Sequence, residues 1–161
     1  ALFTMPHDYY AGFAPRDAAM AQVFQTLRNT RYPGAKTVIW AANVHIARNR
    51  LPRGEVPMGS WLAAALRDDY VSFAITAYQT EVDWAPVNEC GLRERARGSV
   101  EERLQKLGQE ALIVDTSRSR YLKRQSYPMG IDSVRPYQDY DGILWLKHSE
   151  KMHPLLWPPC Q

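Results

Sequence analysis

The sequence predicts an α/β fold: a mostly parallel sheet of about four strands flanked by helices, forming part of a larger α/β domain. Two observations carry this reading. Apolar residues recur at helical spacing after Pro15, and short apolar runs rich in β-branched and aromatic residues follow turn signals further on. A third is that the two patterns alternate along the chain, as they do where helices cover buried strands.

The first fourteen residues read as irregular. Pro15 then suits the first turn of a helix, where its missing N–H costs nothing. From Asp17, the residues Met20, Val23, Phe24 and Leu27 mark an amphipathic face to about Arg31, which Tyr32-Pro33-Gly34 ends. Lys36 to Ala42 (KTVIWAA) reads as a buried strand. Residues 43–57 read as a polar loop, Met58 to Leu66 as a short Ala-rich helix, and Tyr70 to Tyr78 as a second strand. Residues 79–98 read as a loop. Ser99-Val100-Glu101-Glu102 has the form of a capping box opening a helix to Leu107, with Gly108 as the residue that stops it. Ala111 to Val114 and Gly142 to Lys147 are the remaining strands, separated by a long loop over 115–140. The whole chain reads as one unit, with 148–161 as a proline-bearing surface strap.

Composition narrows the function classes. Lys and Arg number 20 against 17 Asp and Glu, a formal net charge of +3. That is too mild to argue for nucleic acid. The basic run from Arg118 to Arg124 reads as a solvated face. The two cysteines, Cys90 and Cys160, do not make a disulfide framework, and they are expected not to pair. No apolar run approaches the ~20 residues of a membrane span. Ala1 to Met5 lacks a signal-peptide pattern, so a cytoplasmic location is expected. The first residue is not Met, so the chain reads as processed, trimmed or excised.

In open α/β sheets, ligands bind outside the carboxyl ends of the strands. The expected strand 36–42 leads into Asn43 and His45, the first place to look. His45 can give or take a proton, bind a metal or orient a carboxylate; it can equally be a loop histidine bonded to backbone. Asn43 can hold a substrate oxygen or orient His45, or close the strand in an Asx-turn. Arg16 opens a helix where a cation is electrostatically unfavourable. Either it serves an anionic ligand or it pairs with a neighbouring carboxylate. His7, His148 and His153 lack metal-ligand spacing, and His148-Ser149-Glu150 is only nominally triad-like. HExxH, CxxC, GxSxG and P-loop patterns do not occur.

These residues carry a family likeness. Arg16-Asp17-Ala18-Ala19-Met20-Ala21 resembles the RD-x-x-MA helix start of the erythromycin esterase-like family, also labelled succinoglycan biosynthesis protein homologues. Trp40-Ala41-Ala42-Asn43-Val44-His45 resembles its WAxNxH signature, and Pro57-Met58-Gly59 with Leu62 its MG-x-x-L segment. Asp69-Tyr70, Ser99-Val100-Glu101 and Asp139-Tyr140-Asp141-Gly142 extend the series, which runs from about Arg16 to His148 and resembles the family's C-terminal half.

The resemblance implies hydrolysis of an ester or lactone, including a macrolide ring, with water activated by a histidine near a glutamate. This links the family to antibiotic resistance. Those two groups belong to a Gly-Glu-x-x-His-like motif and a later Glu of the family's N-terminal half, which have no match here. His45 corresponds to the family's second active-site histidine, and this chain has Ala42 where many members carry another His. The implied roles are His45 as the catalytic group and Asn43 and Arg16 as substrate-binding groups, with no cofactor. The expected partners are a small ester or lactone and either the missing N-terminal half or a second copy of the chain, not nucleic acid or membrane. The isolated chain is expected to be inactive. The alternative is a catalytically silent binding module of the same fold.

Overall fold

The computed structural model describes residues 13–50, 54–84, 89–95, 97–118, 122, 127–129 and 132–150. The chain forms two compact units, Ala1–Ala74 with Gln138–Asp141, and Ile75–Tyr137 with Gly142–Gln161. Each is described by itself.

The first unit is built on helix α1 (Phe13–Thr30), the short helix α2 (Asn43–Ile46) and helix α3 (Met58–Leu66). At the end of α1, the N–H groups of Arg31 and Tyr32 both donate to Leu27 O. Gly34 follows at φ 75°, a left-handed conformation that glycine adopts without a Cβ clash. The buried line of α1 is Asp17 and Ala21, with Met20 and Phe24 beside it, whereas Val23 and Leu27 face solvent. Ala21, Met58, Leu62 and Tyr70 form the core, and Ile39, Ala41, Ile46, Ala63 and Leu66 pack against it. Leu62 is wholly buried, which stabilises the unit by about 1.5–3 kcal/mol.

The expected central strand 36–42 is not a strand. Its residues carry no regular secondary structure, and no backbone hydrogen bond joins 36–41 to another segment among the described residues. Ile39 and Ala41 point into the α1–α3 core, while Val38 and Trp40 are 89% and 85% exposed. The run is apolar on both sides, which reads as burial on both faces; here the unit covers only one. With no backbone partner among the described residues, the alternating segment remains extended chain.

The strands, all in the second unit except for Phe73 and Ala74 of β1, are β1 (Phe73–Trp84), β2 (Glu89–Glu94), β3 (Ala111–Asp115), β4 (Tyr127–Met129), β5 (Asp132–Val134) and β6 (Gly142–Ser149). Four of them form a sheet in the order β2-β1-β6-β3. The sheet is mixed, not mostly parallel: β1 pairs with β2 antiparallel, Gln79 opposite Glu94, and β3 pairs with β6 antiparallel, Ala111 opposite Leu146. The expected loop 79–98 is mostly these first two strands. In the sequence Thr80, Val82 and Trp84 alternate with Glu81 and Asp83, a strand pattern hidden by its charge. A short connection is enough for an antiparallel pair but not for a parallel one. Cys90, placed in a loop from sequence, stands on β2 opposite Asp83; Cys160 lies outside the described residues.

Helix α4 (Val100–Gln105) buries Val100 and Leu104. Its start is the expected capping box, with one difference. Ser99 Oγ accepts from the Glu102 N–H at 3.1 Å, while Glu102 Oε2 reaches the Gly98 N–H at 2.6 Å rather than that of Ser99. The expected loop 115–140 contains the two-stranded ladder of β4 with β5 and a one-turn helix α5 (Pro136–Asp139). Most of the tail strap and of the Arg118–Arg124 run lies outside the described residues. Among the described residues, no helix is long and apolar enough to cross a membrane.

Candidate functional site

The site lies in the first unit, where α1, α2 and α3 meet. Asp17 stands one turn into α1 on the line that faces the core, and it is fully buried. A carboxylate in that position needs donors. Met58, the first residue of α3, gives its N–H to Asp17 Oδ2 at 2.8 Å. This satisfies one of the helix's open N–H groups and places the negative charge at the favourable end of the helix dipole.

The second donor is His45. Its Nδ1 is 2.9 Å from both Asp17 oxygens. Its Nε2 is 3.3 Å from an Arg16 guanidinium nitrogen. Arg16 Nε is also 3.8 Å from Asp17 Oδ1, so the guanidinium touches both members of the pair while its side chain is 47% exposed. A carboxylate only accepts and a guanidinium only donates. The arrangement therefore matches an imidazole with its proton on Nδ1 and a lone pair on Nε2.

The α2 segment is held from several sides. Ile46 O accepts from both Tyr70 Oη and Ser72 Oγ, each at 2.8 Å. Asn43 O accepts from Tyr140 Oη at 3.1 Å. Just after α2, Arg48 donates through Nε to Asp141 Oδ2 at 3.0 Å and through its terminal nitrogen to Tyr70 O. The same Asp141 oxygen takes the Ser72 N–H at 2.7 Å. Burial pushes the Tyr70 hydroxyl up from its ordinary value, outweighing the opposing effects of Ser72 and Arg48. The phenol is thereby kept as a donor to Ile46.

Gly59 lets α3 come this close. A Cβ there would lie 2.4 Å from Ile46 C and O and 2.6 Å from Ala47 O. Any other residue would push the α3 start, with its Met58 N–H, away from Asp17.

The structure thus brings His45 and Arg16 together. Asn43 comes to the same segment through its backbone carbonyl. Asp17, read from sequence only as the start of the amphipathic face of α1, is the group that sequence reasoning misses. The signal is present: Asp17, Met20, Ala21 and Phe24 fall at i, i+3, i+4, i+7, so a carboxylate sits on an apolar stripe. His7 and His153 lie outside the described residues, and His148 faces Glu81 at 3.6 Å in the second unit. Ser149 Oγ turns to the Glu150 carbonyl, so the triad-like triplet is not assembled. Among the described residues, no group of three or more His, Cys, Asp or Glu is placed to hold a metal.

A histidine held on Nδ1 by a buried carboxylate, with an arginine at Nε2, defines a class: an α/β protein with a polar cluster whose groups are chemically able to pass a proton or hold an anion. Comparison with known proteins makes the class particular. The family model for erythromycin esterase matches residues 4–149, and the chain belongs to that family. A Bacillus subtilis protein named as hydrolase YbfO is 25% identical over 160 residues, spanning 84% of this chain and 35% of that protein. A crystal structure of a succinoglycan biosynthesis protein superposes with TM-score 0.75 at 16% identity, over 90% of this chain and 41% of that one. A mutant erythromycin esterase in its open conformation gives TM-score 0.63 at 19% identity, over 82% and 36%. These two likenesses establish the fold alone. The chain spans little more than a third of the curated relative it matches.

Proposed function

We propose that this chain is part of a hydrolase that cleaves an ester or lactone of the macrolide type. The observation that carries the reading is the Asp17–His45–Arg16 arrangement in a chain of the erythromycin esterase family. His45 presents Nε2 to the reacting carbonyl or shares its proton transfer, and Arg16 anchors an acidic group or steadies the negative charge that develops. Asn43 positions substrate or His45. The water-activating histidine and glutamate come from outside this chain, which on its own is inactive. The reading requires no cofactor.

The partner that completes the site covers Val38 and Trp40, which are exposed on an extended segment that bonds no other backbone among the described residues. We assign that place to the portion of the family domain that the longer relatives possess and this chain does not span. The rival reading, a silent binding module, is favoured by the same missing water-activating groups. An assay of macrolide and simple ester hydrolysis separates them, using this chain joined to, or mixed with, a family N-terminal half. Turnover that depends on His45 supports the hydrolase. Ligand binding without turnover supports the silent module.

A further inference from the structure

We infer that Asp17 is the positioning residue of this site: it fixes the His45 proton on Nδ1, and only in that tautomer can Arg16 and His45 share a hydrogen bond. The inference deepens the proposed role of His45 and rests on that reading for its relevance to hydrolysis, though not for its geometry.

The argument starts from donors and acceptors. Asp17 is buried, and its carboxylate can only accept. It faces two N–H groups, one of which is the fixed backbone donor of Met58. His45 Nδ1 at 2.9 Å must therefore carry hydrogen. Nε2 is then a lone pair, and the Arg16 nitrogen at 3.3 Å finds an acceptor. In the other tautomer, Nδ1 would set a lone pair against the carboxylate and Nε2–H would face the guanidinium. Both contacts would be repulsive. The three side chains form one coupled set whose orientation is decided at Asp17, the member without freedom to move.

Asparagine at position 17 loosens that control. Met58 N–H still needs an acceptor, so the amide oxygen takes the place of Oδ2. The amide NH2 then occupies the Oδ1 position, which is also 2.9 Å from Nδ1. An NH2 there offers Nδ1 a donor while the amide oxygen, also 2.9 Å away, still offers an acceptor, so the proton is no longer confined to Nδ1. In a Ser-His-Asp hydrolase the equivalent loss of the correct tautomer costs on the order of 10⁴-fold in kcat.

The experiment is long-range proton–nitrogen NMR on the ¹⁵N-labelled 161-residue chain, recorded where His45 carries a single ring proton. The wild type should show Nδ1 as the protonated nitrogen and Nε2 as the bare one. Asp17→Asn should raise the share of the Nε2-protonated form above that of the wild type, with circular dichroism showing that the fold persists; an unchanged tautomer in a folded variant would overturn the inference. Arg16→Met, at a half-exposed position, should leave the proton on Nδ1 while shifting the Nε2 resonance. A wild type protonated on Nε2 would overturn the inference, whether or not the Asp17→Asn variant folds. So would an Arg16→Met variant that switches tautomer, because Arg16 and not Asp17 would then be in control. The readout is independent of turnover. Failure of ester hydrolysis would remove the proposed function and leave this assignment standing.

Discussion

Asp17 and His45 are 28 residues apart in sequence, yet both Asp17 carboxylate oxygens stand 2.9 Å from His45 Nδ1. The helix α1 delivers one group and the short α2 turn the other. Their meeting is fixed from behind by Met58 N–H, so the pair is part of the core and not a surface ion pair.

His45→Ala and His45→Gln should therefore differ. Alanine removes a donor from a buried carboxylate and should cost about 1–3 kcal/mol of stability. Glutamine keeps an N–H on that side and should cost less. In a hydrolysing form of the domain, His45→Ala should cut turnover at least ~100-fold, the lower range for a general acid–base group. Urea denaturation and an ester assay read the two effects separately. Near-normal turnover by His45→Ala would take His45 out of the reaction.

Gly59→Ala tests the close approach of α3 to α2. Its Cβ would fall 2.4 Å from the Ile46 carbonyl carbon and oxygen. These are backbone atoms that cannot swing aside. The helix start must move, at a cost of about 1–3 kcal/mol or more. The same movement should weaken the Met58–Asp17 bond, so the His45 ring resonances should shift with the loss of stability. A Gly59→Ala variant as stable as wild type would show that α3 sits further from α2.

How much of this is legible in the sequence depends on whether the signal is local. Helix α3 reads with its bounds intact because Pro57 precedes it and the Ala-rich run Leu62–Leu66 carries it past Gly59 and Ser60. The Ser99–Glu102 cap is legible because it spans only a few residues. The antiparallel β1–β2 pair is lost because Glu81 and Asp83 make a strand resemble a loop. Segment 36–42 misleads because composition reports apolarity but not which faces find a cover. Arg16 stands out by an unfavourable charge at a helix start, and His45 by its place after an apolar run, although that run is extended chain and not the strand whose end the rule requires. Asp17 escapes because its role depends on a donor 41 residues away, at Met58.

Tyr70 gives a prediction with a definite sign. Its hydroxyl is raised above the ordinary 10.0 chiefly by burial. The folded state therefore holds the phenol proton more tightly than the unfolded chain does. This contribution to stability is fully present below about pH 10 and is lost as the pH rises through the raised folded-state value. Tyr70→Phe removes the bond to Ile46 O, worth about 1 kcal/mol, and also removes the alkaline loss. Thermal melts should show the variant less stable at neutral pH, with the gap closing above about pH 10. A constant gap would mean the phenol does not titrate differently on folding.

The last prediction concerns Trp40. Its side chain is 85% exposed and that of Val38 is 89% exposed, on a segment whose other face packs against the core. Removing an exposed side chain should cost the unit almost nothing, so Trp40→Ser should melt within about 0.5 kcal/mol of wild type. The exposed row should nevertheless govern association. An apolar extended segment that bonds no other backbone among the described residues is a template for another strand, and in the isolated chain the available neighbour is a second copy. Analytical ultracentrifugation over a concentration series should show the wild type self-associating and Trp40→Ser shifted toward monomer. Addition of a family N-terminal half should compete with self-association and move the Trp40 fluorescence to shorter wavelength as the indole leaves water. A chain that stays monomeric at all concentrations, with an indole that reports water in the presence of that half, would show that this face is not where the partner binds.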